Sequence, residues 1–170
     1  MKLFYLTIIT LVVMLASCGQ STDPKHGEDS FEWEGKTVRL EHKNDSLHAL
    51  ILTENGKELS KMILPWKIYQ FDHGDLDGDG VPEIAVGVIK TTKYDPIMEK
   101  RLFLYRIANG QAIIRLWMGS KMMFRIEDFH IENDSTPALV HTYEKDQNGV
   151  MHESEYKLHK FGLRLKRFLR

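Results

Sequence analysis

The sequence predicts an all-β chain of about three antiparallel four-stranded units, and three observations lead there. Short runs rich in Ile, Val, Phe and Tyr are bounded by Gly, Pro, Asn and Asp, the pattern of strands separated by turns. "LILTENGKEL" (Leu50 to Leu59), "FLYRIANGQAI" (Phe103 to Ile113) and "YKLHKFGLRL" (Tyr156 to Leu165) each place a glycine between two such runs. Gly56, Gly110 and Gly162 stand 54 and then 52 residues apart. A second register agrees: "GDGVPEIAV" (Gly78 to Val86) precedes "NDSTPALVH" (Asn133 to His141) by 55 residues, with Pro82 opposite Pro137. Two landmarks at nearly one period mark an internal repeat.

The chain has 170 residues, 42% hydrophobic and 28% charged, which fits one ordinary globular domain. Its net charge of −1 supplies no field that would draw nucleic acid, and that class of partner is set aside.

The first element is a leader. Residues 1–17 begin with Lys2, continue with an apolar run from Leu3 to Leu15 and end in small residues, as a secretory signal does. The run is shorter than the roughly 20 residues a spanning helix needs. Leu15-Ala16-Ser17-Cys18 resembles a bacterial lipobox, which implies cleavage before Cys18 and lipidation of that residue. Cys18 is the only cysteine, so no intramolecular disulfide forms. Residues 18–30 then read as the lipidated cysteine and a flexible spacer, being rich in Gly, Pro, Ser and acidic residues without apolar periodicity. Gly19 after the cysteine is compatible with delivery to the outer membrane.

The repeat domain is expected over 31–170, in units of about 31–64, 65–119 and 120–170. The first is the shortest, with strands near Lys36 to His42, Leu47 to Thr53 and Glu58 to Leu64. The middle unit has strands near Trp66 to His73, Glu83 to Lys90, Arg101 to Ile107 and Gln111 to Trp117. Asn55-Gly56 and Asn109-Gly110 are hairpin signals, because a type I′ turn needs positive φ at both central residues. "IAVGVI" is apolar at nearly every position, as in a strand buried on both faces. The third unit repeats the plan with Phe124 to Ile131, Ala138 to Lys145, Met151 to Lys160 and Leu163 to Phe168, with a turn at Asn148-Gly149. Four-stranded units of this length are like propeller blades, but three do not close a ring. An open propeller-like arc is the expected architecture, with a β-sandwich or a ring completed by other subunits as alternatives.

"DLDGDGVPE" carries the chemistry. Asp75, Asp77 and Asp79 can converge on one cation only if the backbone turns sharply, which Gly78 and Gly80 permit. With the Val81 carbonyl and the Glu83 carboxylate, the loop offers only hard oxygen donors, the set that suits calcium. No cysteine or histidine sits in the ladder, which disfavours zinc and copper. An EF-hand starting at Asp75 would want glutamate where Val86 stands, and its flanks would be helices. The competing reading is a tight, solvated turn.

The loop resembles the FG-GAP or VCBS-type repeat, whose acidic loop joins two strands of a propeller blade as in integrin α-subunits. "PWK" at Pro65 to Lys67, the stretch from Val86 to Tyr105 and "WMGSKM" from Trp117 extend the likeness to a group of small bacterial lipoproteins. The resemblance implies Asp75, Asp77, Asp79, Val81 and Glu83 as ligands of a structural calcium ion. In the third unit it places His130 opposite Asp75, Glu132 opposite Asp77 and Ala138 opposite Glu83, and there no calcium is expected.

Other constellations are weaker. The eight histidines form no close zinc pair in sequence, His141 and His152 falling on different strands. No nucleophile elbow, phosphate loop or dinucleotide fingerprint is present. The basic carboxyl terminus (Lys157, Lys160, Arg164, Lys166, Arg167, Arg170) reads as a final strand with one solvated face, or as a surface for anionic lipid. Trp66, Tyr94, Trp117 and Tyr105 are strand or loop aromatics. The first three are candidates for a glycan or protein-binding surface if they lie outside the core. The expected function is that of a lipid-anchored envelope lipoprotein whose calcium-stabilised domain acts as a non-enzymatic interaction or assembly module. A carbohydrate-binding or glycan-processing accessory lipoprotein is the alternative.

Overall fold

The computed structural model describes residues 29–93, 95–119, 122–160 and 162–170. The leader, Cys18 and Tyr94 lie outside the described residues. Twelve strands form three separate antiparallel sheets, each a four-stranded meander whose neighbours in sequence are neighbours in space. The first sheet holds β1 (Ser30–Trp33), β2 (Lys36–Asn44), β3 (Leu47–Glu54) and β4 (Lys57–Leu64). The second holds β5 (Lys67–Gly74), β6 (Glu83–Lys90), β7 (Glu99–Ala108) and β8 (Ala112–Trp117). The third holds β9 (Arg125–Glu132), β10 (Leu139–Lys145), β11 (Met151–His159) and β12 (Gly162–Phe168).

Two of the tight turns follow the chemistry of their central pair, and a third shares their geometry. Asn55-Gly56 and Asn109-Gly110 have φ of 49° and 77°, and of 51° and 66°, the double left-handed geometry of a type I′ hairpin. Glu34-Gly35 adopts the same geometry at 47° and 73° without an Asn or Asp to announce it. That hairpin adds β1, a strand absent from the sequence-based plan, and completes the first sheet.

The middle sheet is packed on both faces, which is why β6 is apolar from Ile84 to Ile89. Ile84, Val86 and Val88 point into a core shared with Val38, Leu40, Leu50, Leu52 and Leu64 of the first sheet. Ala85 joins Leu102 and Leu104 in a second core with Ile126, Phe129, Ile131, Val140 and Tyr156 of the third sheet. Gly87 lies between them in the strand, and a Cβ there would stand 2.6 Å from the Tyr69 ring. The absent side chain is what admits that ring, whose edge then meets Phe129 at 6.2 Å.

Polar contacts register the sheets against each other. The Ser60 hydroxyl of β4 accepts from Ile113 N of β8 at 3.0 Å. Between the second and third sheets, Asp72 Oδ2 accepts from Ile131 N at 2.7 Å, and Gln70 Nε2 donates to the Phe129 carbonyl. Lys100 Nζ donates to the Glu127 carbonyl at 2.6 Å.

Candidate metal centre

The β5–β6 connection, residues 75–82, turns on itself through its own side chains. Asp75 Oδ1 accepts from Gly78 N at 2.7 Å and Asp75 Oδ2 from Gly80 N at 3.0 Å. Asp77 Oδ1 accepts from Asp79 N at 3.2 Å, and Asp79 Oδ1 from Val81 N at 2.8 Å. Gly78 and Gly80 have φ of 84° and 86°, which a side-chain-bearing residue rarely adopts. Each aspartate thus shapes the next step of the loop. Leu76 points inward and is buried in the second core, anchoring the turn.

The fold brings three of the five expected ligands together. Asp75, Asp77 and Glu83 each place a carboxylate oxygen within 4.8 Å of the others. Glu83 opens β6 and is 1% exposed, with Oε2 accepting from Leu76 N at 2.9 Å. Burial, followed by the charge of Asp77, pushes its carboxyl up to about 7. Partial burial also raises Asp77. An anionic group buried beside other anions favours whatever neutralises it, a proton or a cation. Three carboxylates with nothing softer than oxygen fit a hard divalent ion such as calcium.

Asp79 stands outside that trio. Its carboxylate caps Val81 and lies 3.9 Å from the Arg106 guanidinium, which is equally far from Asp77. The side chain of Val81 packs against the first core. Arg106 is a contributor that sequence spacing does not reveal. It reaches the loop because β6 and β7 pair with Ile84 opposite Tyr105. A single exposed guanidinium offsets the loop's charge only partly.

All three sheets meet at this loop. From the first sheet, Trp33 Nε1 donates to the Gly80 carbonyl at 3.0 Å, and Phe31 stacks on His73 with centroids 4.0 Å apart. From the third, Ala138 N donates to the Asp75 carbonyl at 2.8 Å, while Asn133 Nδ2 donates to the His73 carbonyl at 3.3 Å. Pro137 covers Gly78. Gly74 has room for no side chain, because a Cβ would run into Asn133 and Ile131.

The aromatic candidates are packed. Trp117 is 8% exposed and belongs to the second core, because a register shift at Leu104/Tyr105 pairs it with Leu104 and turns it to that face; it is therefore not a surface aromatic. Trp66 is half-buried, its ring set edge-on to Phe103 at 5.4 Å and covered by Lys90 at 4.2 Å. A polar cleft of about 1040 Å³ opens between the second and third sheets, lined in part by Glu99, Arg101, Arg125 and Asp146. Neither tryptophan lines it. Its charges are largely spent on one another: Arg101 meets Asp95 at 2.9 Å and Glu99 at 3.2 Å, and Arg125 meets Glu99 at 3.3 Å. Of the basic terminal residues, Lys166 and Arg167 are drawn into pairs with Glu155.

The histidines depart from the sequence expectation. His130 of β9 and His141 of β10 lie directly opposite each other, and with Glu132 their ligand atoms fall within 4.8 Å of one another. The repeat register of 55 sets His130 against loop residue Asp75, yet β9 runs on through Glu132, so His130 and Glu132 are strand residues. No protein-family model matches the chain, and no curated protein or solved structure matches it.

Proposed function

We propose that the protein is a lipid-anchored component of a bacterial envelope whose three-sheet domain is fastened by calcium at the β5–β6 loop and serves as a non-enzymatic interaction or assembly module. The observation that carries the reading is the position of the acidic loop. Asp75, Asp77 and the buried Glu83 converge where Trp33 of the first sheet and Ala138 of the third both bond to the loop backbone. A cation held by these carboxylates would rigidify a place where all three sheets touch. With no cysteine beyond Cys18, such a staple replaces the disulfides that small exported domains often use. At millimolar calcium, sites of the extracellular class add about 0.5–1.5 kcal/mol by mass action.

The anchor rests on the Leu15-Ala16-Ser17-Cys18 pattern. Two or more acyl chains make membrane residence stable where one does not. Detergent-phase partition of the full chain expressed in a bacterium tests it: wild type enters the detergent phase and Cys18→Ser moves to the aqueous phase. Equal partition of the two contradicts the anchor. A glycan array probed in millimolar calcium tests the choice of module. Blank spots are expected, since Trp66 and Trp117 are packed against the protein, and saturable binding to one glycan class would overturn the assignment.

A further inference from the structure

We propose that His130, Glu132 and His141 form a second metal site, selective for a late first-row divalent ion and for zinc above all, on the outer face of the third sheet. The site is distinct in chemistry from the acidic loop. Two imidazoles and one carboxylate make the mixed nitrogen and oxygen set that zinc accepts in its three-ligand sites, leaving a fourth position for water or an exchangeable ligand. Calcium, which prefers six to eight oxygens, has little use for it.

Register places the ligands. In β10, Val140, Thr142 and Glu144 are buried, so His141 projects from the opposite face. In β9, Phe129 and Ile131 are buried and His130 and Glu132 alternate with them. Cross-strand pairing sets His141 against His130, and Leu139 against Glu132, so that Glu132 is the diagonal neighbour of His141. The two rings lie 4.9 Å apart, centre to centre. All three residues are half-buried, accessible to an ion yet held by their neighbours. A tetrahedral zinc sphere sets ligand atoms roughly 3.3 Å apart. Ligand atoms that already lie within 4.8 Å of one another are at most about 1.5 Å wider than that spacing.

A supporting shell is already built. His141 Nε2 lies 3.1 Å from Glu155 Oε1. Because a carboxylate only accepts, Nε2 carries the hydrogen and the Nδ1 lone pair is left for a ligand bond. A carboxylate behind a ligating histidine, fixing its tautomer and orientation, is the usual outer shell of a zinc site. Glu155 is itself fixed by a bidentate pair with Arg167, at 2.7 and 2.8 Å, and by Lys166 at 3.3 Å. These pairs hold its carboxyl at about 2, far below the usual range. Arg167, Glu155, His141 and His130 form one row across four strands. The row ends at the ring of His130, which touches His141 and Tyr143 and takes no hydrogen bond from any described residue. An oriented histidine facing an uncommitted one is the arrangement a metal completes.

The test uses zinc alone as the probe, titrated against a chromophoric chelator with the purified full chain in detergent and millimolar calcium, so that the acidic loop does not compete. One zinc per chain is expected. His130→Ala and His141→Ala should each weaken it at least about tenfold, and Glu155→Gln about 10- to 100-fold. Asp77→Ala and His42→Ala should leave it unchanged. Cobalt substitution should give the intense visible bands of a four-coordinate ion. For wild type, imidazole resonances provide a readout independent of any variant's folding: zinc should shift those of two of the eight histidines, and His130→Ala should remove one of them. Zinc affinity unchanged in both histidine variants, no stoichiometric zinc at micromolar concentration, or shifts confined to other histidines would overturn the site.

Discussion

The middle sheet joins its first and second strands through residues 75–82, with three aspartates and a buried glutamate at the exit, whereas the third sheet uses residues 133–138, with Ala138 in the place of Glu83. The first loop is built from carboxylates that cap successive amides. The second holds itself with a Ser135 hydroxyl donating to the Pro137 carbonyl, and spends its backbone on the first: Ala138 N and the Asn133 amide both donate to residues 73–75. One loop is thus a charged pocket, and the other a wedge that packs against it.

The largest difference between the two loops should be their response to pH. Burial raises the Glu83 carboxyl from the ordinary 4.5 to about 7. Below pH about 4.5 both folded and unfolded chains hold its proton. Between about 4.5 and 7 the unfolded chain ionises while the folded one resists, so metal-free stability falls as pH rises and levels off above about 7. The gap corresponds to on the order of 3 kcal/mol. Urea unfolding in chelator should show a clearly larger fall in wild type than in Glu83→Gln, where only the other titrating groups remain; equal profiles would break the contrast, as Ala138 carries no such charge.

Next in size is the contact between the loops. Gly74→Ala drives a Cβ into Asn133 and Ile131 and should cost roughly 1–3 kcal/mol by urea unfolding, with or without calcium. A neutral result would mean that the wedge yields freely. The smallest effect is expected for Trp33→Phe, which removes the indole donor to Gly80. That carbonyl is near solvent and finds water, so the loss should stay under about 1 kcal/mol.

Much of this architecture is legible in the sequence, for reasons that also mark where legibility stops. Eleven strands announce themselves through β-branched and aromatic runs between turn residues, and β6 reads as doubly buried because no polar residue interrupts it. β1 does not, since Ser30–Trp33 is too short for alternation and its turn lacks Asn or Asp. The carboxylates of the acidic loop are local in sequence and so are visible there. Arg106 and Trp33 reach the loop only through pairing register and sheet stacking, which spacing along the chain does not encode. The histidine pair is hidden for the same reason: His130 and His141 are neighbours only because β9 continues through Glu132 before the chain turns back.

Thermal unfolding of wild type and Asp77→Ala, each in excess chelator and in millimolar calcium at pH 7.5, tests the staple most directly. A calcium-dependent rise of roughly 1–6 °C is expected in wild type, following from about 0.5–1.5 kcal/mol, and none in the variant. No rise in wild type, or an equal rise in Asp77→Ala, would contradict it and leave the aspartate ladder as a turn alone.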